Sequence, residues 1–299
     1  MKKFDIRDSV FEAVKKYFDK NKNCYFLSAD QGSFGYNILV KKFPKRIINV
    51  GIAEQNLIGI AAGLALENKT VFVYAISSFL YSRAYEQIKL NLCSMNLKVC
   101  LISSGPGFCY SPDGPTHYSL EDISIYNNLP NLKIYSPYDR KTSFESINNF
   151  SKNKGPAVIR CDKGLFYEHK KSNLDTCEII KGKKNAIIAH GNFVNILFDK
   201  KDNLIRKKIG LLGVNKLKDF NKKIFFNTIK NYNNLYFVDE TWPNSSFGLY
   251  LMKIINDKKL KKKLIIFSLK EKFHKYGGGR DELLKKNNLN VHSILSKIK

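Results

Sequence analysis

Asn49-Val50-Gly51-Ile52-Ala53-Glu54-Gln55-Asn56 sets a single carboxylate between a strand and an apolar helix. The strand reads as Arg46-Ile47-Ile48-Asn49-Val50. The helix carries Leu57, Ile58, Ala61, Ala62, Leu64 and Ala65, apolar on nearly every side, and is expected to be deeply buried. A Glu in the first turn of a buried helix must either pair or take up a proton, because an isolated buried charge is costly. A first-turn Glu also complements the helix dipole with no chemistry attached.

Outward from this unit, strands and helices alternate, which argues for parallel α/β layers. Upstream, Asp8-Ser9 can cap a helix with Val10, Phe11, Val14 and Phe18 on one face, and Cys24–Ser28 reads as a strand. Downstream come a strand at Thr70–Tyr74, a helix over 79–92, a strand at Leu97–Ile102, a Gly-rich loop over 104–118, a strand near Lys133–Tyr135, a helix after Asp139 and a strand at Ala157–Arg160. Residues 165–184 are polar and Gly-punctuated and look like a linker between a first domain, 1–164, and a second α/β domain, 185–299. The second domain offers strands at Asn185–Ala189, Ile209–Leu212, Leu235–Val238 and Leu264–Phe267, with helices near 222–230, 247–256, 280–286 and 292–298.

A second stretch bears on chemistry. Ser111-Pro112-Asp113-Gly114-Pro115-Thr116-His117 precedes Tyr118-Ser119-Leu120-Glu121-Asp122-Ile123. Gly and Pro force a turn and hold Asp113 and His117 on one irregular loop, where a carboxylate and an imidazole can be aimed at one ligand. The alternative is a plain turn before a capped helix.

These two stretches, with Ser78-Phe79-Leu80-Tyr81-Ser82-Arg83-Ala84-Tyr85-Glu86-Gln87-Ile88 between them, resemble the transketolase family of thiamine diphosphate enzymes, in the family's order over residues 25–125. The resemblance implies a pyrimidine-binding domain followed by a transketolase C-terminal-type domain, for which the segment between His190 and Ile209 looks short, so one helix is expected to be reduced or absent there. It implies that Glu54 hydrogen-bonds the ring nitrogen of the cofactor's aminopyrimidine and activates the cofactor. It places Phe79, or alternatively Tyr81, against the aminopyrimidine, with Tyr85 in the same run. It assigns Asp113 and His117 to the hydroxyls of the donor sugar, with His117 also able to move a proton. Arg160 resembles an arginine that clamps a substrate phosphate, or is a strand-end surface arginine. Asp30 and Ser33 fall where the family has an aspartate and a phosphate-contacting serine, one residue off the usual spacing.

The family holds the cofactor's diphosphate through Mg²⁺ (or Ca²⁺), using a Gly-Asp-Gly motif and a distant Asn. No Gly-Asp-Gly occurs in these 299 residues. The chain therefore looks like the C-terminal half of a split transketolase. An N-terminal partner subunit would hold the diphosphate and the metal, in an α2β2 heterotetramer acting on sugars or sugar phosphates. A 1-deoxyxylulose-5-phosphate-synthase-like or other acyloin-forming subunit is the alternative within the enzyme class, and a non-catalytic assembly or regulatory partner the alternative outside it.

Composition narrows the field. The hydrophobic content of 43% is that of a globular protein, and no apolar run is long enough to span a bilayer. The N-terminal Met1-Lys2-Lys3-Phe4-Asp5 does not read as a signal peptide. Cys24, Cys93, Cys100, Cys109, Cys161 and Cys177 show no paired spacing and read as buried thiols of a cytoplasmic protein, neither disulfides nor metal ligands. The formal charge of +25 invites a nucleic-acid reading, but the lysines are spread along the chain without a compact stripe or a zinc-finger or aromatic motif. A field that attracts sugar phosphates, or an acidic partner subunit, accounts for it better.

Overall fold

The computed structural model describes residues 2–275 and 278–298. The first unit runs β1 (Lys3–Asp5), α1 (Ile6–Lys20), β2 (Cys24–Ser28), α2 (Phe34–Lys42), β3 (Ile47–Asn49), α3 (Glu54–Leu66), β4 (Thr70–Ile76), α4 (Ser77–Arg83), α5 (Tyr85–Gln87), β5 (Val99–Ser104), α6 (Asp122–Asn127), β6 (Lys133–Tyr135), α7 (Arg140–Lys152) and β7 (Ala157–Cys161). Then come β8 (Leu165–Tyr167), β9 (Thr176–Ile180), β10 (Asn185–Ala189), α8 (Asn192–Asp199), α9 (Lys201–Arg206), β11 (Ile209–Val214), α10 (Lys222–Ile229), β12 (Asn234–Val238), α11 (Phe247–Asp257), β13 (Lys263–Phe267), α12 (Arg280–Lys286) and α13 (Val291–Ser296).

The strands with continuous apolar runs are buried on both faces, as parallel sheets require. They form a six-stranded sheet in the order β3-β2-β4-β5-β7-β6, parallel throughout. The second sheet has the order β13-β12-β10-β11-β9, parallel except for its edge strand β9. One apolar core runs from Leu57 and Ile58 of α3 through Ile123, Tyr126 and Leu217 to Leu235 and Leu251, so the two sheets share an interior. The helix expected after Asp139 starts in a capping box, with Asp139 accepting from Thr142 N–H.

Several expectations need correction. Residues 165–184 are not a bare linker: β8 pairs antiparallel with β1, and β9 closes the second sheet against β11. Strand pairing is decided by where an edge lies, which composition does not reveal. The segment between His190 and Ile209 holds two short helices, α8 and α9, so no helix is lost. The cap of α1 is Asp5, which accepts from Asp8 N–H; the Asp8 carboxylate instead accepts from Gly35 N–H in α2. The helix expected over 79–92 breaks at Ala84 and continues beyond α5 as a π-helical turn over Ile88–Ser94. Finally, α3 is buried on one side only: Gln55, Asn56, Gly59, Gly63 and Leu66 are exposed.

Candidate active site

Parallel strands deliver their loops to one edge, where ligands of α/β sheets bind. Here the turns after β2, β3, β4 and β5 meet at that edge. Glu54 opens α3 and is 4% exposed. Arg83, at the end of α4, donates to both Glu54 oxygens at 3.3 and 3.2 Å. The burial thus finds its counter-charge in a side chain that is itself half in solvent. Gln55 Nε2 donates to the Arg83 carbonyl at 3.0 Å and fixes the end of α4 against α3.

The same guanidinium lies 3.8 Å from the centre of the Phe79 ring. Phe79 is half-buried, and its ring meets His117 edge-on at 5.0 Å. Ser78 Oγ donates to the Thr116 carbonyl at 3.1 Å, tying α4 to the loop that carries His117. Glu54, Phe79 and His117 are therefore brought together, joined by Arg83, to which the sequence reading gave no role. Asp113 is exposed on the 3-10 turn Ser111–Asp113, two residues before the turn that ends in His117. Tyr110, also unassigned by sequence, braces the loop from below. Its hydroxyl bonds Ser104 Oγ at 2.8 Å and accepts from Gln31 Nε2 at 2.8 Å, and its ring occupies the space a side chain at Gly105 would need. Burial raises the Tyr110 phenol above its ordinary value, so it stays a neutral donor.

Other expected residues are placed differently. Tyr81 is 3% exposed, packs on Tyr126 and donates to the Tyr118 carbonyl at 3.3 Å, so its ring is core and not a stacking platform. Tyr85 is half-buried and packs against the shared core. Asp30 sits exposed in the left-handed region and accepts from Asn49 Nδ2 at 3.0 Å. Ser33 turns its hydroxyl onto the start of α2, accepting from Tyr36 N–H at 3.1 Å. Arg160 is not a strand-end surface residue. It is 3% exposed and donates to Asp122 at 2.7 and 3.1 Å and to Ser136 Oγ at 3.3 Å. Of the five N–H donors of this guanidinium, the buried Asp122 carboxylate engages one on Nε and one on Nη2.

A buried carboxylate close to a half-exposed aromatic ring suits a planar heteroaromatic ring with a basic nitrogen. The fit covers the aminopyrimidine end of thiamine diphosphate. Among the described residues no group of three or more His, Cys, Asp or Glu could hold a metal ion.

Residues 2–168 match the family described as "Transketolase, pyrimidine binding domain". The chain is similar to one subunit of the apulose-4-phosphate transketolase of Actinobacillus succinogenes, 33% identical over 225 residues, which cover 72% of each chain. It is also similar to 1-deoxy-D-xylulose-5-phosphate synthase of Fusobacterium nucleatum, 30% identical over 93% of this chain; it spans 47% of that protein's length. Among solved structures, one described as "Split gene transketolase, inactive beta4 tetramer" superposes with a TM-score of 0.81 at 20% identity, over 98% of this chain and 96% of the other.

Proposed function

The chain belongs to the transketolase family, and from that premise we propose that it is the C-terminal-half subunit of a two-chain thiamine diphosphate transketolase that moves a two-carbon ketol unit between sugars or sugar phosphates. The observation that carries this reading is the Glu54–Arg83–Phe79–His117 cluster at one sheet edge. When bound, thiamine diphosphate supplies the electron sink for carbon–carbon bond cleavage and formation. Glu54 exchanges a proton with the aminopyrimidine ring nitrogen, and Arg83 orients its carboxylate. Phe79 provides the apolar face against that ring. Asp113 and His117 bind the donor's hydroxyls, and His117 moves a hydroxyl proton.

The metal and the diphosphate are held by a complementary N-terminal subunit, with two copies of each chain in the assembly. The Actinobacillus relative's description as one subunit of a transketolase supports this. So does the uncovered side of α3 beside Glu54, where Ile52 and Leu66 are 74% and 53% exposed. A synthase-like subunit is the second reading, favoured by the identity to the Fusobacterium protein across nearly the whole chain. Assay of the reassembled complex with ketose donors and aldose acceptors, against pyruvate and an aldose phosphate, separates the two. Within either reading, Glu54→Gln is expected to abolish C2-proton exchange of the bound cofactor while the chain still folds. Wild-type exchange in that variant removes Glu54 from the chemistry.

A further inference from the structure

The loop with Asp113 and His117 belongs to the first unit, yet its base is fastened from the second. Phe108 N–H donates to Glu240 Oε2 at 3.0 Å, and Trp242 N–H donates to the Leu120 carbonyl at 3.1 Å. The Phe108 ring meets His274 edge-on at 5.3 Å. Between these ties, Gly107 and Ser119 exchange backbone hydrogen bonds at 2.9 and 3.1 Å and close the loop at its neck. Gly107 has φ +62°, and a Cβ there would stand 1.9 Å from Glu240 Oε2, so only glycine admits the carboxylate this close.

Glu240 is held in turn. Arg280, at the start of α12, donates from Nε to Oε1 at 2.8 Å and from Nη2 to Oε2 at 2.9 Å. The other side of the same guanidinium donates to both oxygens of Asp162, just after β7, at 2.9 and 2.8 Å. Glu240 and Asp162 are 5% and 2% exposed. Two buried carboxylates thus share one guanidinium. Glu240 Oε2 accepts from both Arg280 and Phe108 N–H, so the loop's backbone is tied to a member of a buried ion network. Buried ion networks are poor sources of net stability compared with apolar packing, but they fix geometry.

We propose that Glu240 is a positioning residue for the transfer reaction: through Phe108 N–H, and braced by Arg280 and Asp162, it sets the loop that carries Asp113 so that His117 stands beside Phe79. The second unit therefore tunes the active-site edge of the first. This rests on the reading of 111–117 as the substrate loop.

The test uses the full chain for hydrogen exchange and the complex with its complementary subunit for kinetics, in wild type, Glu240→Gln and Leu251→Ala. Leu251 is fully buried in the second unit and serves as a control for general destabilisation. In Glu240→Gln, amides of 107–120 are expected to exchange at least about tenfold faster, with β4 and β5 unchanged. Donor KM should rise about tenfold with a smaller fall in kcat, while cofactor affinity stays within about twofold. Leu251→Ala should lower the Tm yet leave loop exchange and KM at wild-type values. Wild-type loop exchange in Glu240→Gln, or equal loosening in Leu251→Ala, overturns the proposal. If Glu240→Gln does not accumulate folded, Glu240→Asp replaces it with the same expected ordering. If the wild-type complex transfers no ketol unit, the functional reading fails, and the exchange comparison still decides the positioning role.

Discussion

Arg83 reaches Glu54 at the buried start of α3 from α4, and the same guanidinium covers one face of Phe79. Removing Arg83 therefore releases two groups at once. Arg83→Ala is expected to weaken cofactor binding and lower kcat together, measured by titration and steady-state kinetics on the assembled enzyme. His117→Ala should act on the sugar alone: a loss of about 2 kcal/mol in kcat/KM, typical of one hydrogen bond to a reacting group, with cofactor affinity near wild type. A collapse of cofactor affinity in that variant would place His117 in the cofactor site instead. The placement of Glu54 at a helix start and of His117 on a Gly/Pro turn was legible in the sequence, because each sits in a short run with a fixed local shape. Arg83 was quoted but unread, since its pairing joins residues 29 positions apart. The burial of Tyr81 and Arg160 was not legible for the complementary reason: only packing between distant elements puts their side chains inside.

His169 gives the residue scale a pH dependence. It is 3% exposed against Phe198, and neither ring nitrogen has a hydrogen-bond partner. Burial lowers its pKa below the ordinary 6.5, against an opposing pull from Asp139. The folded state then holds fewer protons than the unfolded chain, so stability is present above the ordinary value and lost as pH falls through it. His274 is shifted the same way by burial. The Tm should drop from about pH 7.5 to about pH 5.5, and less steeply in His169→Phe, by calorimetry at matched ionic strength. An equal slope in the two proteins would remove His169 as the cause.

At the scale of elements, β7 and α6 are joined by the buried Arg160–Asp122 pair. Arg160→Ala leaves the buried Asp122 carboxyl without its ion-pair partner, and is expected to cost about 3 kcal/mol or more in stability. Chemical denaturation reads this directly. A phosphate clamp would behave otherwise, with unchanged stability and a raised KM for phosphorylated donors only. Element type and order were largely readable, because strand runs of Val, Ile and Phe alternate with longer amphipathic stretches. Boundaries were less so. The break at Ala84 is where α4 turns Arg83 back toward Glu54, a demand set by the site and not by local propensity. Strand β9 was hidden because Thr176-Cys177-Glu178 carries a polar pattern suited to a sheet edge, which reads as linker without its partner β11.

For the whole molecule, the shared core and the Glu240–Arg280–Asp162 tie make the second unit part of the site's framework. No helix among the described residues is long and apolar enough to cross a membrane. The exposed face of α3 is where the proposed function seats the complementary chain. The decisive measurement is thiamine diphosphate affinity by calorimetry, with Mg²⁺, for the purified chain alone and with the complementary subunit. The account predicts weak binding alone and tight, Mg²⁺-dependent binding with ketol transfer in the mixture. Tight, Mg²⁺-dependent binding with activity in the chain alone would contradict it.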